Sequence, residues 1–354
     1  MPISRKLVIF LVISVLGISF SFYAYQVVFT PNILVGKESR ELIIERGATF
    51  NSLQKQLHEG QYVNDLMSFS LLARLMKYDR SIKPGRYVLT PGMSNMQAIR
   101  LLRSGNQVPV NVRFHNIRTL DELPEKITAN LMMSPAEFDT ALHEFIKTNT
   151  EGFTRENVIA MFIPNTYQVY YDVTPQGLIE RMREEYHSFW NAENRERAAK
   201  AGLTPVEVSI LASIVQAETI KAEEAPIIAG LYINRLKKGI ALQADPTLKF
   251  AVGDFTLKRI LNVHKEVDSP YNTYRYAGLP PGPINMPEIT SLKAVLNYTE
   301  SDYLYMCAKE DFSGYHNFTS SYQEHLRNAS RYQAALTREM RKGAALRRAQ
   351  AQSK

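Results

Sequence analysis

The sequence predicts an α+β protein with one N-terminal transmembrane helix, a small subdomain in which strands flank paired helices, and a larger mixed α/β domain. Three observations predict this class: an uncharged apolar run at residues 7–29, strand patterns on both sides of helical patterns within 38–107, and a long series of helix-start signals within 108–340. Hydrophobic residues make up 45% of the chain, a share typical of folded domains with real cores rather than disorder.

The first element, residues 7–29, carries no charged residue. At about 1.5 Å per residue, a helix of this length crosses a hydrocarbon core of roughly 30 Å. Arg5 and Lys6 precede it, so the positive-inside rule places residues 1–6 in the cytoplasm and the rest of the chain outside. A cleaved signal peptide is the alternative, but its apolar core is usually shorter and ends in a small-x-small site, and neither feature is clear here.

The small subdomain is predicted at residues 38–107. Thr49 and Asn64 have the positions of helix N-caps, and Gly60 and Gly105 have those of helix ends. The arrangement resembles a LysM-like module, which implies glycan binding; a spacer that holds the larger domain off the membrane is the alternative. Its predicted elements are a strand at 41–44, helices at 49–59 and 64–77, a turn and strand at 83–89, and a helix at 94–103.

The larger domain is predicted at residues 108–340 and begins with a strand at 108–114. Thr119 with Glu122, and Ser134 with Glu137, have the spacing of a capping box, in which two side chains satisfy the free N–H groups of a helix start. An amphipathic helix is predicted from about 175 to 201. Such regular helix-start signals indicate folded structure, but by themselves they indicate no catalytic or binding function.

A further capping box, Thr204-Pro205-Val206-Glu207, predicts a helix from Pro205 to about residue 219. On it, Leu211, Ile214 and Val215 form an apolar stripe, and Glu218 occupies the next position of that stripe.

A carboxylate is thereby placed where a core residue is expected. Because burying an ionised carboxylate is costly, Glu218 is expected either to pair with a cation or to keep its proton through a raised pKa. A raised pKa is what a general acid near neutrality requires. The alternative is a side chain at the helix end that faces solvent or pairs with Lys221.

Polar and aromatic clusters follow downstream, and rings with amides and hydroxyls suit a sugar ligand. Each cluster also has a structural interpretation: Asp245 has the position of a helix N-cap, and the tyrosines next to the loop at 278–283 resemble core aromatics. The candidate substrate-binding residues are Gln243, Asp245, Tyr271, Asn272, Tyr274 and Asn317.

The composition excludes several other classes. The histidines lack the paired spacing of a zinc site, and the chain has neither a Walker loop nor a Gly-x-Ser-x-Gly elbow, so we expect no metal and no cofactor.

The net charge of the chain is +7, and basic residues are densest between Arg338 and Arg348, which predicts a helical basic tail at 341–354. No nucleic-acid motif accompanies it, so we expect no nucleic-acid partner. The single cysteine, Cys307, excludes an intramolecular disulfide.

Four segments together resemble the endolytic murein transglycosylase, or YceG-like, family in order and spacing. They are residues 212–219 (ASIVQAET), 233–236 (INRL), 242–247 (LQADPT), and 271–274 (YNTY) with 278–282 (GLPPG). The resemblance assigns the family's catalytic glutamate to Glu218. Two positions depart from it: Gln216, where many relatives have glutamate, and Asn165, where aspartate is common.

The resemblance implies a lyase that cleaves the MurNAc–GlcNAc bond within nascent peptidoglycan strands and leaves 1,6-anhydroMurNAc ends. It also implies a bacterial inner-membrane location with a periplasmic catalytic domain, and peptidoglycan synthases (penicillin-binding proteins) as partners. Two alternatives stay open: a hydrolase in which Asp245 is the second carboxylate, and a non-catalytic glycan-binding scaffold.

Overall fold

The computed structural model describes residues 4–34, 36–115, 117–257 and 260–352, with side chains described up to residue 343. Helices and strands both occur, as the predicted class requires. The chain divides into two compact units. Unit 1 comprises Met1–Val112, Thr128–Ser134 and Tyr167–Thr174, and unit 2 comprises Arg113–Ile127, Pro135–Thr166 and Pro175–Lys354.

The apolar run forms helix α1, Arg5–Phe29, which is long and apolar enough to cross a membrane, with a mean hydropathy of 2.4. The Ser4 hydroxyl accepts the Leu7 N–H at 3.2 Å and so caps its start. The central part of the helix has no protein packed around it. These properties are consistent with the predicted single-pass anchor.

The rest of unit 1 has the predicted strands around paired helices. In the antiparallel pair β2–β3, Arg40 lies opposite Leu89. The predicted N-cap at Asn64 is wrong, because the Asp65 carboxylate accepts the first free N–H groups of the second helix. The elements are β1 Pro31–Ile33, β2 Arg40–Ile44, α2 Phe50–Glu59, α3 Leu66–Leu75, β3 Gly85–Leu89, β4 Met93–Ser94, α4 Asn95–Ser104, β5 Val110–Arg113 and β6 Thr166–Val169.

A buried amide cluster, formed by Asn32, Ser68 and Asn95, joins the end of α1 to the core of unit 1. The Asn32 side-chain amide donates to Asn95 Oδ1 at 2.7 Å, and the Asn95 amide donates to the Val27 carbonyl at 2.9 Å. The Asn95 amide also donates to Ser68 Oγ at 3.1 Å. The last turn of the apolar helix is therefore fixed to α3 and α4 by hydrogen bonds that water does not reach.

Unit 2 is mainly helical and has one hairpin, β7–β8, in which Cys307 lies opposite Asn317. Its elements are α5 Leu123–Thr128, α6 Pro135–Thr148, α7 Pro175–Phe189, α8 Ala192–Ala201, α9 Pro205–Glu218, α10 Ala225–Lys237, α11 Asp245–Val252, α12 Asn262–Lys265, α13 Ile289–Leu296, β7 Tyr305–Ala308, β8 His316–Thr319 and α14 Tyr322–Gln352.

Three predictions for unit 2 need correction or completion. The predicted helix at 175–201 is two helices, because the Asn191 side chain accepts the Asn194 N–H at 3.0 Å and starts α8 afresh. Thr119 makes no capping bond, and a short 3-10 turn at Leu120–Glu122 precedes α5. The basic tail continues α14 as a helix to Gln352, while its side chains from residue 344 lie outside the described part.

Candidate active site

Helix α9 places Glu218 at the point where the helix leaves the core of unit 2. The predicted capping box is present: Glu207 accepts the Thr204 N–H at 2.7 Å, and Thr204 Oγ1 accepts the Glu207 N–H at 3.3 Å. Residues 208–215 are buried on every side of the helix, so the helix is central rather than buried along one stripe. Glu218 is its last residue and is partly exposed.

The Glu218 carboxyl group is held by Tyr232 of α10, whose hydroxyl donates to Oε1 at 2.7 Å. Burial raises the pKa of Glu218 from its ordinary value of 4.5 to about 7; the Tyr232 hydrogen bond and the Lys249 charge lower it, and the Asp245 charge raises it. Lys221, the cation considered from the sequence, instead lies over the Tyr315 ring. Glu218 therefore keeps its proton on a substantial fraction of molecules near neutral pH.

The second carboxyl oxygen of Glu218, Oε2, has no hydrogen-bond partner among the residues that the structure describes. Glu218 lines a cavity of about 350 Å³, which we call the acid cavity. One carboxyl oxygen is thus hydrogen-bonded by the protein, and the other has no partner among the described residues. The polar side chains that line the acid cavity with Glu218 include Tyr232, Arg235, Gln243, Asp245, Tyr274, His316 and His325.

Asp245 and Tyr274 form one wall of the acid cavity. Asp245 is the first residue of α11 rather than its N-cap, a position held by Ala244. Its Oδ1 accepts the Tyr274 hydroxyl at 2.6 Å. Burial, and then the Asp245 carboxylate, raise the pKa of Tyr274, so its hydroxyl stays protonated and remains a donor.

Gln243 is placed in the acid cavity by a buried arginine. Arg235 Nη2 donates to Gln243 Oε1 at 2.9 Å, and the same guanidinium donates to the carbonyls of Ala241 at 2.9 Å and Leu304 at 2.8 Å. Gln243 has a φ of 54°, a left-handed conformation that is uncommon for residues other than glycine. The Arg235 contacts therefore hold Gln243 in a strained conformation next to Glu218.

Three predicted site residues do not line the acid cavity. Asn272 is fully buried, and its amide donates to the carbonyls of Lys265 at 2.9 Å and Val267 at 2.8 Å, so it holds the loop instead of facing a ligand. Tyr271 packs on Phe250 with ring centroids 4.5 Å apart. The Asn317 amide points to Glu310 Oε2 at 3.4 Å.

Several residues that build the acid cavity carry no clear signal in the sequence. Tyr232 and Arg235 lie one turn apart on α10, where an arginine within an otherwise apolar helix is the one feature that points to them. Glu224 is buried and accepts both the backbone N–H of His316 at 2.7 Å and its imidazole Nδ1 at 2.9 Å. This pair, 92 positions apart, fixes β8 beside the acid cavity.

A second cavity, of about 490 Å³, is lined by immediate sequence neighbours of acid-cavity residues; we call it the cation cleft. Ala217 lines the cation cleft and Glu218 lines the acid cavity, and Pro246 and Asp245 are divided between the two cavities in the same way. The charge of Lys249, which lines the cation cleft, acts on Glu218, so the cation cleft lies close to the Glu218 carboxyl group. The residues that line the cation cleft are Ile117, Arg118, Gln216, Ala217, Pro246, Lys249, Phe250, Phe255, Ile284 and Asn285.

Gln216 has a structural role: its Oε1 accepts the Glu288 N–H at 2.6 Å. Residues 42–331 match the model of the YceG-like family. The chain belongs to the YceG-like family. The resemblance drawn from the four sequence segments is confirmed.

Members of the YceG-like family with assigned names are similar to this chain. An endolytic murein transglycosylase of Streptococcus pneumoniae is 25% identical over 91% of this chain, which spans 64% of that protein's length. One of Bacillus subtilis is 34% identical over 46% of this chain and 44% of its own. A YceG-like protein of Listeria monocytogenes has a solved structure with a TM-score of 0.51 and 26% identity, covering 82% of this chain and 98% of its own.

Proposed function

We propose that this YceG-like protein is an endolytic peptidoglycan lytic transglycosylase, a lyase that cleaves the MurNAc–GlcNAc bond within nascent strands. The names of the relatives from Streptococcus pneumoniae and Bacillus subtilis support this class of reaction. The observation that carries the proposal is the setting of Glu218: a carboxyl group with a pKa of about 7 that lines the acid cavity and has one oxygen without a partner among the described residues.

In the proposed reaction Glu218 acts first as acid and then as base. It donates its proton to the glycosidic oxygen as the bond from that oxygen to C1 of MurNAc breaks. The C6 hydroxyl of the same MurNAc then attacks C1, and the resulting proton returns to Glu218. The product is a 1,6-anhydroMurNAc end and no water is consumed, so one carboxyl group suffices.

The hydrogen bond from Tyr232 supports this sequence of steps. Because Tyr232 donates to Oε1, that oxygen serves as an acceptor, and the proton of the neutral carboxyl group resides on Oε2, toward the cavity. A pKa of about 7 makes both the acid and the base form of Glu218 accessible near neutral pH. Tyr232 is therefore proposed as a positioning residue.

The predicted substrate-binding residues divide into two groups. Gln243, Asp245 and Tyr274 line the acid cavity and are proposed to hydrogen-bond the sugar next to the cleaved bond. Tyr271, Asn272 and Asn317 lie outside that cavity and are proposed to shape its surroundings. Because the proposed reaction needs a single carboxyl group, Asp245, which accepts the Tyr274 hydroxyl, is proposed to bind the sugar and not to act as a hydrolase nucleophile or base.

The two cavities and the apolar helix α1 support a proposal for where the protein cuts a strand and where in the cell it acts. A chain that occupies both cavities extends on each side of Glu218, which is what cleavage within a strand requires. We propose that α1 anchors the protein in the inner membrane with residues 1–6 cytoplasmic and unit 2 periplasmic. There it would end strand elongation beside peptidoglycan synthases, and the LysM-like part of unit 1 would bind glycan.

The test is digestion of purified peptidoglycan followed by mass spectrometry of the new strand ends. The wild-type protein is expected to cut long strands at internal bonds and to leave fragments with 1,6-anhydroMurNAc ends. Glu218→Gln, which cannot transfer the proton, is expected to be about 10²- to 10⁴-fold slower.

Glu223→Gln is the matched control, because it removes an exposed carboxylate five positions away and is expected to cleave at the wild-type rate. Reducing ends alone would show a hydrolase. New ends from neither wild type nor variant would favour the non-catalytic scaffold.

A further inference from the structure

The cation cleft contains two cations with no ion-pair partner among the described residues, Arg118 and Lys249. The Arg118 guanidinium lies over the Phe255 ring, 4.5 Å from its centroid. By contrast, the guanidinium of Arg155 is paired with the Asp121 carboxylate at 2.7 Å. The cation cleft therefore presents positive charge that no described protein group neutralises.

The arginine of the neighbouring acid cavity behaves differently. Arg235 is buried, and its guanidinium is engaged by two backbone carbonyls and by Gln243. Its charge is therefore balanced by protein hydrogen-bond acceptors, whereas the exposed Asp245 carboxylate adds negative charge to the acid cavity. The acid cavity thus presents carboxyl groups, and the cation cleft presents two available cations.

A third polar group points to a ligand in the cation cleft. Asn285 donates its amide to the Ser213 carbonyl at 3.0 Å, but its buried Oδ1 has no partner in the described part of the chain. A buried carbonyl oxygen without a donor is rare in folded proteins and is readily satisfied by a ligand N–H or O–H. With Phe250 and Phe255 as ring surfaces, the cleft suits a sugar that bears an anionic substituent.

We propose that the cation cleft binds the carboxylate-bearing part of the glycan strand, with Arg118 and Lys249 holding the carboxylate and Asn285 accepting a hydrogen bond from the sugar or its amide. This inference rests on the proposed function and deepens it, because it sets the direction in which the strand crosses Glu218. Two sources supply such a carboxylate: the stem peptide, or the lactyl group of a muramyl residue without a stem.

Binding at Lys249 would also act on Glu218. The Lys249 charge lowers the pKa of Glu218, so a carboxylate that neutralises Lys249 removes this effect and helps Glu218 to keep its proton. Substrate binding in the cation cleft would then favour the acid form at the moment it is needed.

The experiment measures KM and kcat for anhydro-end formation by the full-length protein in detergent micelles. The substrates are strands with stem peptides, strands stripped of stems by an amidase, and a preparation of each whose carboxylates have been converted to neutral amides. The variants are Arg118→Gln, Lys249→Gln and the charge-conserving Arg118→Lys. Lys293→Gln, at an exposed position of α13, is the matched control.

Both glutamine variants are expected to raise KM about three- to tenfold on carboxylate-bearing strands, as for a lost charged hydrogen bond. On the neutralised strands the KM of both glutamine variants is expected to equal that of the wild type. Arg118→Lys, which conserves the charge, should keep most of the affinity for carboxylate-bearing strands. An effect confined to stemmed strands identifies the stem carboxylates, and one confined to stripped strands identifies the lactyl group.

An unchanged KM on every strand, or the same increase on charged and neutralised strands, would overturn the inference. In either case the wild-type protein would still form anhydro ends, and the proposed function would stand. If the wild type forms no anhydro ends, the proposed function fails first and the inference fails with it.

Discussion

Unit 1 and unit 2 each bury a polar cluster, and the two clusters differ in how completely they are satisfied. In the amide cluster of unit 1, Asn32 and Asn95 bond each other and nearby backbone, and both are buried. At the acid cavity of unit 2, Glu218 has one bonded oxygen, one open oxygen and a titratable proton. A closed neutral cluster serves stability, whereas an open titratable one is available for chemistry.

The two clusters should respond oppositely to removal of their central side chain. Taking Asn95 away leaves buried partners without hydrogen bonds, which costs the full desolvation of those groups. Taking the Glu218 charge away relieves the cost of burying a carboxylate. The contrast is therefore measurable as two stability changes of opposite sign.

Asn95→Ala should lower the free energy of unfolding of unit 1 by about 2–3 kcal/mol, an effect comparable in size to the stability change expected at Glu218 but opposite in sign. The Val27 carbonyl loses the Asn95 amide that donates to it, and the Asn32 amide keeps its bond to the Asp65 carbonyl but loses the one to Asn95, in a site closed to water. Native-state hydrogen exchange of the α3 and α4 amides measures the change. Asn106→Ala, at an exposed position just beyond α4, is the control and should change little.

Glu218→Gln is expected to raise stability by up to about 3 kcal/mol at pH 8, from the difference between pKa values of about 7 and 4.5. Because the folded state holds this proton more tightly than the unfolded chain, wild-type stability falls as the pH rises from about 4.5 to 7. The gain should vanish near pH 4. Denaturation of both proteins across this pH range tests it, and an equal difference at every pH would contradict the account.

A smaller effect, expected in opposite directions for two variants, concerns the pH dependence of the cleavage rate. Cleavage should slow as the pH rises through the pKa of Glu218, because the acid form is required. Tyr232→Phe removes a bond that lowers this pKa and should shift the alkaline limb to higher pH; Asp245→Asn removes a charge that raises it and should shift the limb to lower pH. Shifts in the same direction would break the electrostatic explanation.

Features that depend on residues close together in the sequence, such as helix starts and the face of a helix, could be predicted from local sequence patterns. The capping box at Thr204 and Glu207 predicted the start of α9, and the helical spacing then placed Glu218 at its C-terminal end, just beyond the buried residues 208–215. Equally local signals can mislead by one residue or one bond. Asp65 caps α3 in place of Asn64, and Asn191 interrupts a helix that periodicity alone would continue.

The rest of the site depends on pairs far apart in sequence. Tyr232 reaches Glu218 from another helix, and Glu224 reaches His316 across the hairpin, so no spacing rule shows either pair. Asn272 appeared suited to sugar binding, but its hydrogen bonds go to backbone carbonyls. Whether a polar group is already satisfied is a property of the fold, which a sequence pattern does not contain.

Glu218 must keep its proton near neutral pH to act as the acid, and a titration of its side-chain carboxyl carbon by 13C NMR tests this directly. The measurement uses selectively labelled full-length protein, with Glu218→Gln to assign the signal. The predicted midpoint is about 7. A midpoint near the ordinary value of 4.5 would show a carboxylate that is ionised throughout the working range, and would contradict its role as the acid.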